Sequence, residues 1–262
     1  MVSEPTERYR VQVIDRILDI LEVFTADAPE LGVSEVSRQV GLHKGTVHRL
    51  LSALERHRLV EQDPDSGRYR LGMKLWELGT QAVARLDLPG PAMPVLRQLA
   101  TEAGETAHLA ILDEGDVLHI AMAESKRTFR VPSQVGKRLP PHCLGLGKAL
   151  LAHLEPNELD RLIRARGLPR FTSHTICDPD TLKAELALIR QREFALDREE
   201  LEEGLRCVAA PVRDRFGHVI AAVSVAGPSV RVNEAETPRL VECVLRAARS
   251  ISRALGAPAL SA

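Results

Sequence analysis

Residues 34–72 read SEVSRQVGLHKGTVHRLLSALERHRLVEQDPDSGRYRLG, and two helical patterns lie back to back within them. The first runs from Ser34, expected as the N-cap, through Val36 and Val40 to Gly41, a residue suited to the left-handed end of a helix. The second runs from Lys44 to His57, with Val47, Leu50, Leu51 and Leu54 at i, i+3, i+4 and i+7, the spacing of a core-facing stripe. Only Gly41-Leu42-His43 separates them, and Ser37 puts a small side chain four residues before the turn. That is the pattern of a helix-turn-helix. Two strand-like runs follow around Asp63-Pro64-Asp65-Ser66-Gly67, which is turn chemistry. Upstream, Ile14, Ile17, Leu18 and Leu21 mark an amphipathic helix within residues 10–25. Three helices and a hairpin make a winged helix over residues 1–72.

The helix face opposite the leucine stripe carries Gly45, Arg49, Ser52 and Arg56, flanked by Thr46 and His48. Such a face fits a major groove: Arg49 forks onto guanine, Thr46 meets a thymine methyl or a phosphate, and Gly45 permits close backbone approach. Residues 36–58 hold five basic side chains (Arg38, Lys44, Arg49, Arg56, Arg58) against Glu55 alone, whereas residues 1–72 hold 10 basic and 12 acidic ones. The positive charge is therefore concentrated rather than abundant. His43 and Lys44 open the helix, and Arg68 and Arg70 on the hairpin are candidate contacts to the DNA backbone. A solvated helix face is the plain alternative for any one helix. The correctly spaced turn, the wing and the basic face together point to double-stranded DNA.

Length and composition agree with this reading. The 262 residues are 44% hydrophobic and 27% charged, which excludes disorder and disulfide-rich miniproteins. The net charge of −1 gives no global attraction to phosphate, so DNA contact must rest on a local patch. The chain has neither a signal-like apolar start nor a membrane-length apolar run, and a cytoplasmic protein without membrane contact is expected. Four well-separated cysteines (Cys143, Cys177, Cys207, Cys243) suit reduced thiols better than a disulfide framework.

A linker helix is expected over residues 73–90, with Leu75, Leu78, Gly79, Ala82 and Leu86 along one side and Pro89-Gly90-Pro91 as the boundary. Residues 91–262 then change to an α+β pattern. In HCLGLGKALLAHL, Gly145 and Gly147 coincide with the start of a helix, so free N–H groups meet at one spot. Two readings stay open there: a cradle for a small carboxylate, or glycines that merely allow close packing. No nucleotide loop is present, because His142 stands where the motif requires glycine and Ala149 follows Lys148. Cys143 beside His142 invites a nucleophile reading, and His142, Cys143, His174 and Cys177 invite a metal reading. Spacing suggests no third orienting group for the first, and the second lacks a close pair to match His174 and Cys177. The acidic run from Asp197 to Glu203 reads as a solvated turn.

The blocks GLHKGTVHRLLSALERHRLVEQDPDSGRYRLG, LPPHCLGLGKALLAHL and ALDREELEEGLRCVAAPVRDRFGHVIAAVSVAGP, in that order, resemble the IclR family of bacterial transcriptional regulators over nearly the whole chain. The resemblance implies an N-terminal winged helix, a GAF-like C-terminal effector-binding domain, and homodimers that pair into tetramers on a palindromic operator. It further implies an effector pocket lined by Gly145, Leu146, Asp197, Leu205, Cys207 and Ser224, of a kind suited to a small organic acid. The chain departs from the family pattern at His43, at Gly45 and at Ala226, where a second pocket serine is sometimes found. A ligand-responsive regulator of a catabolic operon, often a repressor, is expected, with no cofactor, no metal and no enzymatic activity. The alternatives are a thiol- or metal-responsive regulator, or a cysteine-dependent enzyme targeted to DNA.

Overall fold

In the computed structural model, which describes residues 11–25, 27–84, 88–128 and 134–257, the quoted stretch folds as two short helices and a hairpin. Helices α1 (Gln12–Glu22), α2 (Val33–Val40) and α3 (Lys44–Arg56) precede strands β1 (Val60–Gln62) and β2 (Tyr69–Leu71), which pair antiparallel, and helix α4 (Met73–Ala84) follows. Their core is Ile20, Val36, Val47, Leu51, Leu54, Val60 and Tyr69, with Leu50 packed at its margin. Gly41 ends α2 at φ +67°, a conformation that costs glycine nothing.

The start of α2 differs from expectation. Ser34 lies inside the helix and Gly32 is its N-cap. The Glu35 carboxylate reaches back to accept from the Gly32 N–H at 2.7 Å, so the cap comes from the third helical residue rather than from a hydroxyl. In the hairpin turn the Asp63 carboxylate accepts from the N–H groups of Asp65 and Ser66 at 3.1 and 2.7 Å. Gly72 closes the hairpin because a Cβ there would come within 2.2 Å of the Arg58 carbonyl oxygen.

Residues 1–85 and 86–262 form separate units. The second contains α5 (Pro89–Ala103), β3 (Thr106–Asp113), β4 (Asp116–Ala123), β5 (Arg138–Leu139), a 3-10 turn at Pro141–Cys143, α6 (Gly145–Leu151), α7 (Pro156–Arg166), α8 (Pro179–Arg192), β6 (Ala195–Arg198), β7 (Leu205–Arg213), β8 (Val219–Pro228) and α9 (Thr237–Ala254). Pro89-Gly90-Pro91, expected as a break, instead forms the first turn of α5, where a missing N–H costs nothing. Leu86 and the side chain of Ala82 lie outside the described residues.

The six strands form one antiparallel sheet in the order β5-β4-β3-β8-β7-β6, so the fold is α+β. Leu96, Leu99, Leu240, Val244 and Ile251 of α5 and α9 pack on one face, against Leu109, Val208, Val223 and Val225. The opposite face is lined by Ala110, Ala209, Ala222 and Ala226, and Leu146, Leu150, Leu151, Leu182 and Ile189 of α6 and α8 cover it. Alanines on the sheet and glycines on α6 let the helix sit close. A Cβ on Gly145 would stand 3.0 Å from Cys207 Sγ, and one on Gly147 would overlap the Pro141 carbonyl at 2.1 Å.

Candidate DNA-binding face and effector site

The α2–α3 corner is pinned from within. Ser37 Oγ donates to the Leu42 carbonyl at 2.6 Å, and His43 caps α3 by accepting the Gly45 N–H on Nδ1 at 3.2 Å. With Val47, Leu51 and Leu54 buried on the inner side of α3, Lys44, Gly45, His48, Arg49 and Arg56 stand exposed on the other, as does Arg38 on α2. Thr46 is half-buried beside them. Among the described residues, Arg38, Lys44, Arg49 and Arg56 make no ion pair of their own, so their charge is uncommitted.

Ser52 and the hairpin arginines differ from this set. Ser52 turns partly inward toward the buried Tyr69 hydroxyl. Arg68 donates to the Glu30 carbonyl and pairs with Glu35 at 2.8 Å, and Arg70 pairs with Glu61 at 3.3 Å and Glu30 at 3.6 Å. Each is half-exposed but already engaged, so α3 rather than the wing carries the free positive charge.

In the second unit, antiparallel register brings the implied effector residues together. Asp197 on β6 faces Cys207 on β7, Cys207 faces Ala226 on β8, and Ser224 faces Ala209. The start of α6, with Gly145 and Leu146, lies over Cys207, and the Leu146 N–H points at its thiol. Leu205 stands at the half-buried end of β7 on the same face. Asp197 is buried and accepts from the Glu200 N–H at 2.9 Å, yet burial pushes its carboxyl up to about 7. Ser224 is fully buried. Its Oγ lies near enough to Cys207 to oppose the rise in that thiol's pKa, but it makes no hydrogen bond of normal geometry.

Close packing accounts for both α6 glycines. Gly147 is pressed on the Pro141 backbone, and Gly145, which stands at the cluster, is close-packed as well, since a Cβ there would meet Cys207 Sγ at 3.0 Å and the Ala209 Cβ at 3.4 Å. Thiol chemistry finds no support: burial pushes Cys143 and Cys207 up to about 12, so both are neutral thiols. His142 turns its Nε2 to the Pro169 carbonyl at 3.0 Å rather than to Cys143. Cys177 donates to the Thr175 carbonyl, and among the described residues no group of three His, Cys, Asp or Glu side chains is placed to hold a metal.

Sequence reasoning missed three groups here. Glu200, taken as part of a solvated run, is buried and paired with a buried Lys148, while Thr172 donates to the Glu199 carbonyl and Thr175 to the Glu200 carbonyl, which fixes the turn. The pairing joins residues 52 apart, and no local pattern announces it. His108 and His119 are also buried on the α6 face of the sheet, where alternation along β3 was the available sign.

A winged helix with a free cationic helix face, joined to an α+β unit with polar groups gathered beneath a helix start, defines a DNA-binding transcription regulator with an effector domain. Comparison with known proteins agrees. Residues 13–64 match the IclR helix-turn-helix domain, and residues 80–253 match the bacterial transcriptional regulator IclR C-terminal domain. The chain is 39% identical over 249 residues to the HTH-type transcriptional regulator XynR of Escherichia coli K12, covering 95% of this chain and 99% of that one. Among solved structures it is similar to the Thermotoga maritima IclR, with TM-score 0.81 and 28% identity over 94% of this chain and 100% of that one. It is also similar to an IclR homologue from Microbacterium hydrocarbonoxydans complexed with 4-hydroxybenzoate, with TM-score 0.83 and 29% identity over 93% and 99% of the two chains. This chain belongs to the IclR family and is a transcription regulator. No helix among the described residues is long and apolar enough to cross a membrane.

Proposed function

We propose that this regulator senses a small organic acid in its C-terminal domain and thereby changes its affinity for an operator that controls genes for using that acid. The observation that carries the effector reading is Ser224, a fully buried hydroxyl without a hydrogen-bond partner of normal geometry, on the same face as Asp197 and the start of α6. A buried hydroxyl in that state is free to donate to a ligand. A carboxylate accepts from Ser224 Oγ and from the α6 backbone N–H groups, Asp197 contacts a hydroxyl or limits size, and Leu146 and Leu205 form the apolar wall. The relative solved with 4-hydroxybenzoate, itself a carboxylic acid, supports the same class of ligand.

On DNA, Arg49 reads base edges in the major groove, with Lys44, Gly45, Thr46, His48, Ser52 and Arg56 around it. Arg38, His43, Arg68 and Arg70 hold backbone phosphates, the last two after yielding their acidic partners. A second copy of the chain supplies the other half of an inverted repeat. The exposed apolar residues Val13, Ile14 and Leu18 of α1 and Met73, Trp76 and Leu78 of α4 are the faces that pair, and dimers then associate in twos.

Calorimetry of the full chain against small keto, hydroxy and aromatic acids tests the effector reading. At least one acid is expected to bind, and Ser224→Ala is expected to weaken it about tenfold. Indifference to every acid, or unchanged affinity in Ser224→Ala, would refute the reading.

A further inference from the structure

The end of α3 is closed by an arginine where glycine is the usual residue. Arg58 N–H donates to the Glu55 carbonyl at 2.8 Å and Leu59 N–H to the Leu54 carbonyl at 2.9 Å, the bond pattern of a helix that ends on a left-handed residue. That residue is Arg58, at φ +60°. Glycine takes this conformation without steric cost, whereas a residue with a Cβ is strained in it. A strained residue persists where its surroundings make use of it.

The Arg58 side chain reaches the linker helix. Its Nη2 lies 3.3 Å from Glu77 Oε1, one turn into α4, and Lys74 Nζ lies 2.8 Å from Glu77 Oε2, so one carboxylate holds two cations. Lys74, and after it Arg58, keeps the Glu77 carboxyl below the usual carboxylate range. The backbone is joined at the same spot. Gly72 N–H donates to the Leu59 carbonyl at 2.9 Å and Lys74 N–H to the Arg58 carbonyl at 3.3 Å, beside the close contact of Gly72 with Arg58 described above. The end of α3 and the start of α4 therefore form one corner, although the whole hairpin separates them in sequence.

We propose that Arg58 and Glu77 are positioning residues for DNA reading: they fix the angle between α3, which carries Arg49, and α4, and thereby the separation at which two copies of the chain read their half-sites. The proposal rests on the base-reading role given above to α3 and the pairing role given to α4, and it adds what connects them. Met73, Trp76 and Leu78 stand exposed on α4 around Glu77, so a second copy seated on this helix is placed by α4, while Arg49 is placed by α3. Freedom at the corner is then freedom in half-site spacing, since each base pair advances a site by about 3.4 Å and turns it by about 35°. An exposed ion pair adds little to stability. Its effect here is on direction, because a bias of a few-fold is enough to narrow the angles the corner takes.

The experiment is fluorescence anisotropy of the full chain, as wild type, Arg58→Gly and Glu77→Gln, on the duplex that the wild type selects from a random pool. The same duplex is also tested with one or two base pairs inserted or removed between its half-sites. The wild type is expected to lose about tenfold in affinity at each altered spacing, because a displaced half-site forfeits at least one base contact. In Arg58→Gly and Glu77→Gln that penalty should shrink about threefold, the worth of an exposed pair, while the base preference within each half-site is kept. The penalty is a ratio within one variant, so the general attraction of a lost cation for DNA cancels. Arg58→Gly also separates direction from support: it relieves the left-handed strain, so its melting midpoint should be no lower than the wild type's, and an arginine that merely supports the fold would leave the spacing penalty unmoved. If Arg58→Gly melts early, Glu77→Gln carries the same comparison. Equal spacing penalties in the wild type and the variants would overturn the proposal and leave the base-reading role of α3 standing. A wild type that binds every spacing equally would overturn the paired reading of half-sites, and the proposal with it.

Discussion

Ser37 Oγ and the Leu42 carbonyl, five residues apart, are joined by a 2.6 Å hydrogen bond across the corner between α2 and α3. The bond satisfies a carbonyl that the left-handed turn at Gly41 leaves without a helical donor, and it fixes the angle at which α3 departs. Ser37→Ala should therefore cost about 0.5–1.5 kcal/mol of stability. Thermal unfolding checks this: a lower midpoint is expected for Ser37→Ala, and a near-normal one for Ser37→Thr, which keeps the hydroxyl.

Gly147 provides a test of packing rather than of ligand binding. A methyl group there overlaps the Pro141 backbone, which cannot swing aside as a side chain would. Gly147→Ala should destabilise the second unit by about 1–3 kcal/mol or more, measured by denaturant unfolding, whereas Gly136→Ala is a comparison with no neighbour to strike. Gly136 does have positive φ, so its modest cost should come from backbone strain alone.

Lys148 and Glu200 form an ion pair with side chains 1% and 6% exposed. Removing one partner leaves an uncompensated charge in the interior, so Lys148→Met should lose about 3–5 kcal/mol. The double variant Lys148→Met, Glu200→Gln should recover much of that loss. A double-mutant cycle by chemical denaturation measures the difference, and additive single effects would contradict the pairing.

The pH dependence of stability has a definite sign. The folded-state pKa values of His108 and His119, about 3 and about 4, lie below the ordinary 6.5, so the unfolded chain takes up protons that the folded one refuses. Their contribution is intact above about pH 6.5 and is lost as the pH falls, by up to about 1.4 kcal/mol per pH unit for each ring. The Lys137 charge acts on His119 in the same direction as burial. Asp197 acts the other way: with its folded value raised to about 7, its ionisation weakens the fold as the pH rises from about 4 towards 7. His108→Leu should flatten the fall in melting temperature between pH 6.5 and pH 5, and Asp197→Asn should steepen it.

How much of this was legible in the sequence follows the range of the interactions. The two helices of the corner, the hairpin and the Gly41 turn are set by contacts a few residues apart, and they fell where the apolar period placed them. Ser34 misled because a carboxylate at the third helical position caps as well as a hydroxyl at the start. Strands β5 and β6 were missed because two and four residues are too few to establish a period of two. The resemblance to a family supplied Asp197, Cys207 and Ser224, and the register explains why they meet. Lys148 with Glu200, and His108 with His119, become visible only after the sheet is assembled, since charge runs and lone histidines look alike whether exposed or buried.

The central claim is that α3 places Arg49 on base edges of an operator. Hydroxyl-radical footprinting of the full chain on the DNA flanking its own gene tests it most directly. Protection of two half-sites about 10 base pairs apart centre to centre, or a multiple of that spacing, is expected, with Arg49→Ala losing about 1–3 kcal/mol of specific binding while the fold is retained. A footprint of unchanged strength and position in Arg49→Ala would contradict it.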